Sequence, residues 1–94
     1  MATILQNLRI KMRIDKFLNA VNIVKRRAIA QDMIANGVVK IAGISVKASR
    51  DVKVGDIIEI AFLEKSRFYQ VLQIPEVKTI KKSESHLYYK EVQQ

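Results

Sequence analysis

The sequence predicts one small α+β domain, a two-helix motif packed on a small, mostly antiparallel β-sheet. Three observations predict it. Between Met12 and Gly37 the apolar residues recur at helical spacing, first Phe17, Leu18, Val21 and Val24, then Ala30, Met33 and Ile34. From Val38 onward the period changes to two. Turn-forming residues then punctuate the chain at Ala42-Gly43, Val54-Gly55-Asp56 and Glu64-Lys65-Ser66. A chain of 94 residues with 49% hydrophobic content can bury one modest core and has little length left for a second.

Taken in order, residues 1–11 read as an N-terminal extension. Ile4, Leu5 and Leu8 have helical spacing, but the run is short and uncapped, and Met12 stands directly before the motif. The domain proper is read as 12–75. Its first helix is expected from about Asp15 to Val24, with the Asp15 carboxylate capping the first turn. The second helix is expected from Arg27 to Asn36, where Asn36-Gly37 supplies a stop. Arg26 stands where a capping side chain would be, so the first N–H groups of that helix are left either for phosphate oxygens or for water.

Val38–Ile41 and Ile44–Lys47 flank Ala42-Gly43 as a hairpin. Ala is a poor first residue for a turn that needs positive φ twice, so a type I turn with a left-handed Gly43 in a bulge is expected. Residues 48–53 form a polar, basic connection. Residues 56–62 read as a strand with Ile58, Ile60 and Phe62 on one face. Residues 67–74 read as the last strand, ended by Pro75, which cannot donate to a ladder. Residues 76–94 lose periodicity and read as a basic tail, either one short helix capped by Ser83 or Ser85, or a segment that orders on a partner.

Charge narrows the function classes. Seventeen Lys and Arg oppose nine Asp and Glu, a formal net charge of +8, and the sequence pI is near 10.0. That balance puts an anionic partner first, nucleic acid before a membrane surface. With no cysteine there is no disulfide, no thiol chemistry and no Cys-ligated metal. His86, the single histidine, lies in the tail, and no phosphate loop, metal-ligand spacing or nucleophile–base pairing is present. Binding without turnover is therefore expected, with no cofactor. The absence of a membrane-length apolar run and of a signal-peptide pattern fits a cytoplasmic protein. The cations cluster: Arg13, Lys16, Lys25, Arg26 and Arg27 near the starts of the two helices, and Lys47, Arg50 and Lys53 after the hairpin. If the helix pair and the hairpin pack side by side, the clusters form one face.

The spacing of particular residues is more specific. Arg13-Ile14-Asp15-Lys16-Phe17-Leu18, Lys25-Arg26-Arg27-Ala28, Ala30, Ile34, Gly37, Val39, Gly43, Val46-Lys47-Ala48-Ser49 and Val54-Gly55-Asp56 together resemble the alpha-L RNA-binding motif. That is the module of small-subunit ribosomal protein four, also found in pseudouridine synthases and tyrosyl-tRNA synthetases. The resemblance covers residues 12 to about 62. The opening MRIDKFL and the lack of a second domain look like the stand-alone bacterial members, the heat-shock protein fifteen and ribosome quality-control types. Phe17 in place of a Trp, and a short tail, are more similar to the second type. The sequence departs from the motif at Arg26, where Ser or Thr is common, at Ala42-Gly43 in place of Asn-Gly, and at Ala48-Ser49 in place of Pro-Ser.

The resemblance implies an RNA-binding protein that contacts ribosomal RNA and tRNA on large ribosomal subunits still holding a peptidyl-tRNA. It implies RNA contact by Arg13, Lys16, Lys25, Arg26, Arg27, Gln31, Lys47, Ser49 and Arg50. The free protein is expected to be a monomer. Two other readings remain, an accessory module acting with an RNA-modifying enzyme and an oligomerisation module without RNA.

Overall fold

The computed structural model describes residues 11–93, so the reading of residues 1–11 falls almost wholly outside the described residues. Helix α1 spans Ile14–Ala20 and α2 spans Arg27–Ala35. They precede a five-stranded sheet made of β1 (Val39–Ile41), β2 (Ile44–Ser45), β3 (Ile57–Ala61), β4 (Ser66–Val71) and β5 (Tyr89–Val92). The strand order is β2-β1-β3-β4-β5 and every pairing is antiparallel. A 3-10 helix, Lys82–Leu87, leads into β5.

The core follows from the two periodicities. The helices and the turn after α1 contribute Ile14, Phe17, Leu18, Ala20, Val21, Ala30 and Ile34, all buried. The strands contribute alternate residues, Val39 and Ile41 from β1, Ile58 and Ile60 from β3, Tyr69 and Val71 from β4. Register aligns these into rows: Val39 opposite Ile60, Ile41 opposite Ile58, Ile58 opposite Tyr69. A slip of one residue would turn a whole strand's apolar set to the other face.

Several expectations need correction. The first helix begins one residue early and ends four residues before Val24. Asn22 takes a left-handed φ of 69°, which ends the helix. The chain then wraps back, with the Val24 N–H donating to the Leu18 carbonyl at 2.9 Å, so Val24 is still buried. Its helical spacing reflected burial, not helix. Asp15 is not the cap; Arg13 holds that position without a side-chain cap bond, and Asp15 lies inside the first turn. The second helix ends as expected, with Asn36 at its C-cap and Gly37 at φ 75°.

The hairpin turn also differs. Ala42 and Gly43 both have positive φ, 55° and 78°, and Ile41 pairs with Ile44. This is a two-residue primed turn without a bulge. Its twist matches the flanking strands, and the pairing wins over the preference of Ala for negative φ. Phe62 is half exposed rather than on the core face, because β3 stops at Ala61 and the Phe62 N–H turns to the Lys65 carbonyl.

β4 is not the last strand. The tail contributes β5, paired along β4 from Phe68–Val92 to Val71–Tyr89. Ile80 is buried, and Tyr88 and Tyr89 pack against the core. Neither tail serine caps the 3-10 helix; the cap position is Lys81, and Ser85 is buried as an acceptor for the Asn22 side chain. No helix among the described residues is long and apolar enough to cross a membrane.

Candidate nucleic-acid interface

Two cations of the helix pair, Arg13 and Arg27, meet at one buried carboxylate. Asp15 projects from the first turn of α1 and has no solvent exposure. Its Oδ1 accepts the Lys16 backbone N–H at 2.8 Å. Its Oδ2 accepts from Gln31 Nε2 at 3.0 Å, Arg27 Nε at 3.3 Å and Arg13 Nη2 at 3.3 Å. Arg13 Nε also lies 3.3 Å from Oδ1. Gln31 and Arg27 come from α2 and Arg13 from the residue before α1, so this one side chain ties the two helix starts together. Burial pushes the Asp15 carboxyl upward. The Gln31 amide, the Lys16 N–H and the Arg27 and Arg13 charges outweigh that and hold it below the ordinary carboxylate value.

The other residues expected at the face join this centre through the backbone. The Ile14 N–H donates to the Arg50 carbonyl at 2.7 Å, Arg13 and Asp51 form an isolated β-bridge, and the Val52 N–H reaches the Met12 carbonyl at 2.9 Å. The segment after the hairpin is therefore laid along the entry to α1. The Arg50 N–H closes a turn onto the Lys47 carbonyl, with Ser49 inside it, and the side chains of all three are exposed. The expected meeting of the two cationic clusters thus has a specific cause, one short ladder between residues 12–14 and 50–52.

Lys25 and Arg26 occupy the turn between the helices. Asn19 holds that turn, donating its side-chain amide to the Lys25 carbonyl at 3.0 Å and the Val24 carbonyl at 3.3 Å. Arg26 is the cap residue of α2, extended and without a side-chain cap bond. Both are exposed, while Lys16 is only partly so. Arg13 and Arg27 are about half exposed, at 47% and 45% of their side chains, which leaves room for a ligand beyond Asp15.

Residues 12–58 match the S4 domain. The chain belongs to the S4-domain family. The matched span takes in α1, α2, the hairpin and the basic connection, and ends within β3, so it contains the whole cationic face. Individual proteins share more of the chain. The RQC P-site tRNA stabilizing factor of Helicobacter pylori (strain 26695) is 47% identical over 77 residues, covering 82% of this chain and 92% of that protein. Its namesake in Bacillus subtilis is 39% identical over 74 residues, covering 79% and 84%. The trimeric structure of Vibrio cholerae heat shock protein 15 superposes with a TM-score of 0.79 at 25% identity, covering 88% of this chain and 83% of that one. β5 lies beyond the matched S4 domain, and it extends the sheet rather than forming a separate unit.

Sequence reasoning missed Asp15 as the centre of the site. Its signal was a carboxylate between Arg13 and Lys16 in a strongly basic stretch. What could not be read was that Arg27 and Gln31 would reach it from a second helix. Asn19 and Asn22 were missed as well, because an Asn that clamps a turn looks like any polar helix residue until the turn is seen.

Proposed function

We propose that this chain is a non-catalytic RNA-binding factor of ribosome quality control. In this reading it binds large ribosomal subunits that retain a peptidyl-tRNA, and its cationic face contacts ribosomal RNA and tRNA. The observation that carries the reading is the pairing of half-exposed Arg13 and Arg27 with buried Asp15 at the starts of two helices, beside the exposed Lys25 and Arg26 of the turn between them. The relatives named RQC P-site tRNA stabilizing factor support the choice of RNA and of process.

The physical task suits the face. Structured RNA offers phosphates and ribose hydroxyls on a rigid surface, while its deep major groove admits few side chains. Arg13, Lys16, Lys25, Arg26, Arg27, Lys47 and Arg50 would neutralise phosphates, and each neutralised phosphate releases condensed counterions. Ser49 and Gln31 would add hydrogen bonds to sugar or base edges. A face of fixed shape loses little conformational entropy on binding, which favours holding a tRNA in one place.

The experiment is a sucrose-gradient profile of cell extract probed for the protein, with and without induced stalling. Co-migration with large subunits that increases on stalling is the expected result. Migration only at the top of the gradient in both states would overturn the reading. Crosslinking of the bound RNA separates ribosome binding from service to an RNA-modifying enzyme.

A further inference from the structure

Resting on the RNA-binding reading, we propose that Asp15 is the positioning residue of the face, fixing Arg13 and Arg27 as phosphate donors and turning Gln31 so that its amide oxygen accepts from a ribose 2′-hydroxyl. Asp15 ties the two helix starts together, and it does so through side chains of the cationic face alone, apart from the Lys16 N–H. It is fully buried, yet each side chain that it binds is exposed and belongs to the cationic face. Stability is a weak reason to keep such a group, since the desolvation of a buried carboxylate offsets much of its attraction to partners.

The donor and acceptor rules decide what is presented outward. An ionised carboxylate only accepts. Gln31 must therefore point Nε2 at Asp15, which leaves Oε1 as the atom it can offer to a ligand. A 2′-hydroxyl can donate to it, and DNA has no such group. Arg27 directs Nε to Asp15, leaving its two terminal nitrogens as a fork for one phosphate. Arg13 directs Nε and Nη2 there, leaving Nη1. Long side chains that would otherwise sample many rotamers are thus held before RNA arrives.

The sign of one substitution separates positioning from plain electrostatics. Asp15→Asn removes a negative charge from a cationic face. Charge alone then predicts tighter binding to RNA. Positioning predicts weaker binding, because an Asn can donate to Gln31 and lets its amide turn, and because it releases both guanidinium groups.

The experiment measures binding to purified large ribosomal subunits carrying peptidyl-tRNA, and to a short RNA duplex and its DNA counterpart, at matched salt. Asp15→Asn should bind the subunits about tenfold more weakly. Combined with Arg27→Ala, its effect should be clearly less than the sum of the two, since it acts partly through Arg27. Gln31→Met, close in volume, removes one of several bonds to Asp15, so it should fold but melt lower than wild type, while losing roughly fivefold of the preference for RNA over DNA. This variant keeps the proposal open to refutation even if Asp15→Asn fails to fold. Equal or tighter binding by folded Asp15→Asn, full additivity with Arg27→Ala, or an unchanged RNA preference in Gln31→Met would overturn the proposal. Those results leave the RNA-binding reading intact so long as Lys25→Ala/Arg26→Ala still weakens subunit binding. If wild type itself binds no subunits, that reading fails first.

Discussion

Replacing Lys25 and Arg26 together with Ala isolates the electrostatic part of the RNA interaction. Both side chains are exposed, and neither forms an ion pair with a described residue. Their structural roles are carried by the backbone. The Lys25 carbonyl accepts from Asn19, and the Arg26 carbonyl accepts N–H groups from the first turn of α2. Alanine keeps those bonds, and no side-chain cap is removed at Arg26. Stability should therefore change by no more than about 0.5 kcal/mol. With two fewer phosphates neutralised, the plot of log affinity against log salt should flatten by roughly 1.4–1.8 units, taking about 0.7–0.9 per phosphate. Between about 50 and 200 mM salt, that difference makes wild type lose roughly seven- to twelvefold more affinity than the variant. Titration of labelled protein with purified large subunits across a salt series reads the slope directly. A variant that melts like wild type, and binds with unchanged affinity and slope, would show that these cations are ordinary solvated surface.

Three further outcomes follow from particular bonds and dihedrals. Ala42→Asn should stabilise the domain by about 1 kcal/mol, because Ala42 sits at φ 55° where Asn is better tolerated; that is roughly 4–8 °C in Tm for a domain of this size, and an unchanged melting curve refutes it. Asp15 has a folded pKa below its ordinary value of 3.8, so its stabilising effect is present above that pH and is lost as pH falls through the folded value. Acid unfolding of Asp15→Asn should accordingly lack this component, which urea melts at a series of acidic pH values would show. Asn22→Ala should destabilise the protein by roughly 2–4 kcal/mol, since it removes bonds to the Ile80 carbonyl and Ser85 Oγ and keeps a left-handed φ; Asn22→Gly should recover about 1 kcal/mol of that, and denaturant unfolding of the pair checks the difference.

The sequence by itself determined the fold class, the place of α2, and most of the core. Those features are written locally. Apolar period fixes which face of Phe17, Leu18, Ile58 and Ile60 turns inward, and Asn36-Gly37 marks a stop whatever the rest of the chain does. It also gathered the cations into clusters beside two helix starts. Tertiary structure decided what stands between those clusters. Asp15 reads locally as a cap, and becomes a buried centre only because α2 brings Arg27 and Gln31 against α1. The tail shows the same division. Residues 76–94 carry no clear period, since the outer face of an edge strand is open to water and its pairing partner is remote in sequence. Residues 76–93 fold because the backbone of β4 offers an unpaired edge to β5, and because Asn22 and the Ala20 carbonyl hold Ile80 from the far end of the chain. Hydrogen bonds between distant segments leave no mark on the composition of either one, so only the folded chain could reveal them.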